Sequence, residues 1–356
     1  MPRARTLRLI PPFVVACLAC AAWTVQGGVA PSAGAVRNAN LQTTPAQADP
    51  GYQRLVDAAN AVVAVKVKAL PNARSNETLG QERTGSGVVV GKDGLILTIG
   101  YLVEEADVTE IEDARGQTVP ASVLAYDHTT GLGLIRALAP LSEKPIKLGS
   151  ANPVAELDRL LIVTGGDEQT MSVATVVSRR QFAGYWEYLI DGAIFTSPPR
   201  LDHSGAALIN KDGELVGIGS LFVMDAVKPG EKLPGNMFVP VDLARPLLEE
   251  VARTGGFKTQ RRPWLGVNSL EEDGRVKVMQ VPEDSPAAKA GIQAGDIILS
   301  INGQKVDTLK NFYDVLWHDA SPGSEVNLTV LHGPSVRQVT VRSMDRNDFD
   351  RHKPSV

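Results

Sequence analysis

The sequence predicts a mostly β fold, with a large region of barrel or sandwich type followed by a smaller module that mixes strands and helices. Three observations predict it. Between Val62 and Ile218 short apolar runs recur at roughly even spacing, where a parallel α/β sheet would interpose long helical patterns. Two pairs of these runs are joined by tight turns of hairpin chemistry, at Lys92-Asp93-Gly94 and at Asp212-Gly213. Beyond Pro263 strands alternate with helix starts, marked by Ser285-Pro286 and by Asp307 or Thr308.

The elements follow in order. Tyr52 to Ala61 suits a short helix. Val62 to Val67 is apolar and β-branched, and Gly87 to Val90 pairs with Leu95 to Leu97 across the first turn. Thr118 to Tyr126, Leu132 to Ala137, Leu160 to Thr164 and Met171 to Val177 are further strands. Ala207 to Ile209 and Leu215 to Ile218 flank the second turn. Val241 to Arg253 places Leu243, Leu247, Leu248 and Val251 on one helical face, stopped by Gly255-Gly256. In the second module Trp264 to Val267, Val276 to Val281 and Ile297 to Ile301 read as strands. Gly291 closes a short helix, Leu309, Phe312 and Leu316 share one face of another, and Val326 to Leu331 and Val336 to Val341 close the chain.

With 356 residues, 43% hydrophobic and 21% charged, the chain suits about two domains. Its formal net charge of -4 offers no basic footprint for nucleic acid. Arg3, Arg5 and Arg8 precede an apolar run from Leu9 to about Val25, the layout of a secretory leader, with an uncleaved membrane anchor as the alternative. Val14 to Cys17 loosely resembles a lipoprotein processing site. Both cysteines, Cys17 and Cys20, lie inside this run, so a mature chain would carry neither disulfides nor thiol chemistry. No His/Asp/Glu cluster has metal-ligand spacing, and no cofactor motif stands out; the glycines of Gly85 to Gly91 read as strand glycines. The expected organisation is a leader or anchor over 1–30, a flexible linker over 31–50, a β domain over 51–256, a second domain over 263–343 and a disordered tail over 344–356.

Two stretches carry a family signal. Ser285-Pro-Ala-Ala-Lys-Ala-Gly-Ile-Gln-Ala-Gly-Asp-Ile-Ile-Leu-Ser-Ile-Asn-Gly303 resembles the core of a bacterial PDZ domain. Thr84-Gly-Ser-Gly-Val-Val-Val with Gly94-Leu-Ile-Leu-Thr98, then Asp202-His-Ser-Gly-Ala-Ala-Leu-Ile-Asn-Lys-Asp-Gly-Glu-Leu-Val-Gly217, resembles the trypsin-like domain of the HtrA family. The resemblance covers about residues 53 to 343. It implies a chymotrypsin-like double β-barrel followed by a PDZ domain, an exported protein of the periplasm or cell envelope, and a homotrimer to which Tyr52 would add an aromatic contact.

Such a protease needs a serine, a histidine that takes its proton and an aspartate that orients the histidine. The family's serine falls on Ser204. Its histidine falls on Tyr101, its aspartate on Gly131, and the oxyanion-hole glycine on Asp202. A phenol is a weak base near neutral pH, and a carboxylate beside a developing oxyanion opposes it. His203 adjoins Ser204 in sequence, and neighbouring side chains on extended backbone point apart. His128 lies three residues before Gly131. Both read as surface histidines.

By the same resemblance Trp264, Leu265, Gly266 and Val267 receive a ligand's terminal carboxylate and backbone, as in strand addition to a sheet edge. Phe312, Val315 and Leu316 on the facing helix are the expected pocket lining, with core packing the competing role. The terminal Val356 is a candidate occupant of such a groove. The sequence thus points to an inactive HtrA-like protein that binds peptides, C-termini or unfolded exported chains as adaptor, chaperone or regulatory subunit. An active serine endopeptidase with a non-standard base, and an envelope component fixed to a partner by its PDZ domain, are the alternatives.

Overall fold

A computed structural model describes residues 49–166, 169–256 and 261–350. The expected leader, most of the linker and Val356 lie outside the described residues. The first helix, α1 (Pro50–Ala59), starts at Asp49, whose side chain accepts the Gly51 N–H at 2.9 Å. Six strands follow: β1 (Val62–Ala69), β2 (Glu82–Val89), β3 (Leu95–Ile99), β4 (Ala106–Glu112), β5 (Thr118–Asp127) and β6 (Leu132–Ala137). They close into a barrel in the order β1-β2-β3-β6-β5-β4. Two single-turn helices, α2 (Asn76–Leu79) and α3 (Gly100–Val103), interrupt it.

The second barrel comprises β7 (Lys147–Leu148), β8 (Arg159–Val163), β9 (Met171–Gly184), β10 (Tyr188–Ser197), β11 (Ala207–Ile209), β12 (Glu214–Val223) and β13 (Gly235–Pro240). The sheet runs β11-β8-β9-β10-β13-β12-β7, and pairing of β11 with β12 returns it on itself. The fold is thus mostly β with two barrels. One apolar core fills the first barrel and continues to Phe195, Met237 and Val239. A separate cluster around Ile162, Leu208 and Phe238 fills the second. The predicted helix after β13 begins as a 3-10 turn, Val241–Ala244, where Pro246 has no N–H to return to Asp242 and Arg245 bonds to that carbonyl instead; α4 (Arg245–Thr254) continues it to a left-handed Gly255.

The C-terminal module contains β14 (Pro263–Trp264), β15 (Asn268–Glu272), β16 (Arg275–Gln280), α5 (Pro286–Lys289), β17 (Ile297–Ile301), β18 (Gln304–Lys305), α6 (Leu309–Asp319), β19 (Glu325–His332), β20 (Ser335–Arg342), β21 (Met344–Asp345) and α7 (Arg346–Phe349). Its main sheet runs β15-β16-β17-β19-β20. The predicted caps form: the Ser285 side chain accepts from Ala288 N–H, and Thr308 from Asn311 N–H, both at 3.1 Å.

The tail departs from expectation. Residues 344–349 form β21 and α7 where a disordered extension was expected, and residues 351–356 of that tail lie outside the described residues. β21 pairs antiparallel with β14. Beyond it, Arg346 is driven into the boundary with the barrels, where it donates to Glu104 Oε1 at 3.1 Å and to the Trp186 carbonyl at 3.2 Å. Asp350 meets His128 Nε2 at 3.1 Å. Charged residues of this segment supply ion pairs across the boundary.

Candidate functional site

Ser204 lies where the two barrels meet. Its carbonyl accepts the Ser86 N–H of β2 at 2.8 Å, and the next residue, Gly205, donates to Gly219 of β12 at 2.8 Å. Its hydroxyl is 2.8 Å from the phenolic oxygen of Tyr101. The same phenol lies 2.7 Å from the Ser220 carbonyl. A carbonyl can only accept and a phenol carries one proton. Tyr101 therefore serves Ser220, and the serine hydroxyl is left to supply the proton of the shared bond. Burial pushes the Tyr101 phenol up to about 12, against the smaller opposing effect of the Ser204 bond. At neutral pH this group is a neutral phenol.

The place of the expected aspartate is also filled. Gly131 follows a turn pinned by Asp127, whose carboxylate accepts from Thr129 N–H at 3.0 Å and Thr130 hydroxyl at 2.7 Å. A Cβ on Gly131 would fall 2.5 Å from the Tyr188 ring, and φ there is +72°. The Tyr188 ring, stacked on Trp186 at 5.2 Å between centroids, occupies that volume. Asp202 is held by Arg200 in an ion pair and by the Thr170 hydroxyl at 3.2 Å. Burial works to raise its carboxyl, but the bond and charge of Arg200 outweigh it, so Asp202 stays ionised with its charge partly offset.

Neither barrel histidine is hydrogen-bonded to Ser204. The His203 ring turns back to the Arg200 carbonyl at 3.1 Å, and burial lowers its pKa. His128 lies against Tyr126, the rings tilted by 45° with centroids 3.9 Å apart, and pairs with Asp350. Its place is the boundary with the C-terminal module.

A second constellation lies at that boundary. The backbone N–H groups of Leu265, Gly266 and Val267 all point at one carboxylate, that of Glu187, at 3.2, 2.9 and 3.3 Å. Gly266 takes φ +76°, which lets three successive N–H groups converge. Glu187 sits at the tip of the β9–β10 hairpin. The Ser269 N–H of β15 donates to the Tyr185 carbonyl at 2.8 Å. The Tyr313 hydroxyl of α6 donates to the Gly184 carbonyl at 2.6 Å and accepts the Glu187 N–H at 3.1 Å. Burial raises the Glu187 carboxyl to about 7, with the N–H bonds opposing.

The expected lining residues are all buried in the presence of the hairpin. Phe312 and Leu316 have no exposed surface and belong to the module's own core, as does the nearly buried Val315. Trp264 packs against Phe349, 4.7 Å between centroids. Tyr313 faces the hairpin tip instead, and Arg262 lies over Trp317 at 4.6 Å. Sequence reasoning missed Glu187 and Tyr313. The aromatic run Tyr185-Trp186-Glu187-Tyr188 was a visible signal for the tip, since a solvated turn has little use for three aromatic side chains. Tyr52 is exposed on α1.

Comparison with known proteins agrees with this architecture. A trypsin-like peptidase domain model matches residues 85–218 and a PDZ domain model matches 263–342. Serine endoprotease DegS of Haemophilus influenzae is 30% identical over 298 residues, covering 80% of this chain and 84% of that protein. A probable periplasmic serine endoprotease DegP-like of Halomonas elongata is 24% identical over 75% of this chain; the match spans 57% of its own length. Among solved structures, HtrA-type protease AlgW with decapeptide is 21% identical, covers 86% of this chain and 100% of its own, and has a TM-score of 0.51, a likeness of fold. Two barrels joined to a PDZ module, matched along most of the length of a DegS, place the chain in the HtrA family of trypsin-like serine proteases with a C-terminal PDZ domain.

Proposed function

We propose that this chain is a proteolytically inactive member of the HtrA family that captures exported peptides, or unfolded exported chains by their C-termini, through its PDZ domain in the cell envelope. The observation that carries the reading is the partner of Ser204: a buried phenol titrating at about 12 stands where an imidazole is needed. A general base works best with a pKa near the operating pH. Loss of the base alone costs on the order of 10⁶ in turnover in a serine protease. The second support is the convergence of the Leu265, Gly266 and Val267 N–H groups on a carboxylate, the chemistry that a peptide C-terminus needs. The placement in the envelope rests on the relatives named periplasmic.

Incubation of the intact protein with casein tests the first half. No cleavage above a Ser204→Ala control is expected over hours at pH 7. Cleavage by the parent that disappears in Ser204→Ala would falsify the inactive reading and restore the activity named for the relatives.

A further inference from the structure

The groove that would take a peptide already holds a piece of this chain. Its floor is β15 and its facing wall α6, and between them lie Gly184 to Glu187. Backbone recognition is present, because Ser269 N–H donates to the Tyr185 carbonyl as a sheet edge donates to an added strand. Carboxylate recognition is present, because the Glu187 side chain takes three N–H groups of the Gly266 loop. The wall contributes Tyr313, which holds the tip by its backbone at both ends. Ala183 and Leu189 pack on the module's core from either side of the tip.

Local structure gives little reason for glutamate here. Residues 185–187 form a three-residue hairpin loop whose last residue has φ +61°. That position ordinarily takes glycine, and a larger residue there is strained. What compensates is on the module, not on the hairpin. The side chain's acceptor capacity is met by the Gly266 loop, and Arg346 adds favourable charge nearby.

We propose that the β9–β10 tip is an internal ligand of the PDZ domain, with the Glu187 carboxylate standing in for a peptide C-terminus, so that an incoming C-terminal segment must displace the tip and in doing so frees the hairpin from the module. The proposal rests on the peptide-capture reading above. It adds that capture is gated by a competitor carried in the same chain, at very high effective concentration.

The test uses the intact chain and a fluorescent mixture of ten-residue peptides ending in Val, Leu or Phe, each with a free or an amidated C-terminus. Glu187→Ala should bind the free-acid peptides at least tenfold more tightly than the parent, and the amidated peptides should show no gain. Tyr313→Phe keeps the ring but frees the tip backbone, and should give a smaller gain in the same direction if Glu187→Ala folds poorly. Amide hydrogen exchange at residues 265–267 is read in parallel and should rise in Glu187→Ala without peptide. Equal free-acid affinity in parent and both variants, with exchange unchanged, overturns the internal ligand while leaving peptide capture standing. Raised exchange with no free-acid binding by any variant overturns peptide capture, and competition with it.

Discussion

At Gly131 the backbone and a neighbouring ring act together. The residue has a positive φ, and the Tyr188 ring stands 2.5 Å from where a Cβ would be. Placing the expected aspartate there is therefore more than a change of charge. Gly131→Asp should lower stability by about 2 kcal/mol or more, combining left-handed strain with overpacking. Urea unfolding measures it. Tyr101→His with Gly131→Asp should still leave casein uncut, because the carboxylate would have to share the space of Tyr188. Cleavage by that double variant would show that the cleft relaxes more readily than its packing implies. The same scale shows what the sequence could display. Tyr101, Gly131 and Ser204 were singled out by position in the sequence as the expected triad positions. That Tyr101 meets Ser204, 103 positions away, and that the ring of Tyr188, 57 positions from Gly131, fills the space beside that glycine, lay beyond the reach of local pattern.

Elements with a local signature were legible, and those defined by their partners were not. The hairpin β2–β3 and the caps of α5 and α6 follow from turn and cap chemistry and appear as expected. β13 was not singled out, for its sequence opens on glycine and ends on proline, yet all its residues are buried between β10 and β12. The β9–β10 tip is the functional case. Its role depends on a carboxyl that titrates at about 7 in the closed groove, against 4.5 as its ordinary value. An acid whose pKa is raised by burial favours the closed form when protonated. That advantage is full below about 4.5 and is lost as pH rises through about 7, a loss of about 3 kcal/mol of hold on the tip. The groups around it are the charged Arg346 and the neutral phenol of Tyr313, with His128, Arg262 and Asp345 lining the same small cavity. Glu104, which shares Arg346, is also raised by burial, so its titration runs in the same direction. A peptide's own terminal carboxylate, with a pKa near ~3.5, stays ionised throughout. Free-acid peptides should accordingly bind the parent more tightly at pH 8 than at pH 5. Glu187→Gln should flatten most of that slope. A slope that survives in Glu187→Gln assigns the dependence to another group.

Across the whole molecule the barrels and the PDZ module are joined through buried charge. Arg346 faces Glu104 directly and Glu187 at longer range. Burial disfavours its charge, but Glu104 and its other acidic neighbours more than offset this and keep it protonated. Removing one partner of a buried pair leaves the other uncompensated, which typically costs about 3–5 kcal/mol. Arg346→Met should lower the urea midpoint at pH 7 accordingly, and the loss should shrink at pH 5 as the stranded carboxylates take up protons. An equal loss at both pH values would mean that the arginine acts by packing alone.

The pairing of β14 with β21 has a mechanical consequence. The chain enters and leaves the PDZ module side by side, and the segment after the exit runs back to Glu104 and His128. The module is therefore a closed handle fastened at two points, not a pendant on one string. A force applied to a captured chain would load both fastenings in parallel, with the Glu187 tip as a third. Cutting the chain after Asp345 would convert the handle into a pendant, leaving the tip, with the surface contacts of Arg74 to Glu283 and Asp284, to decide whether the groove is open or shut.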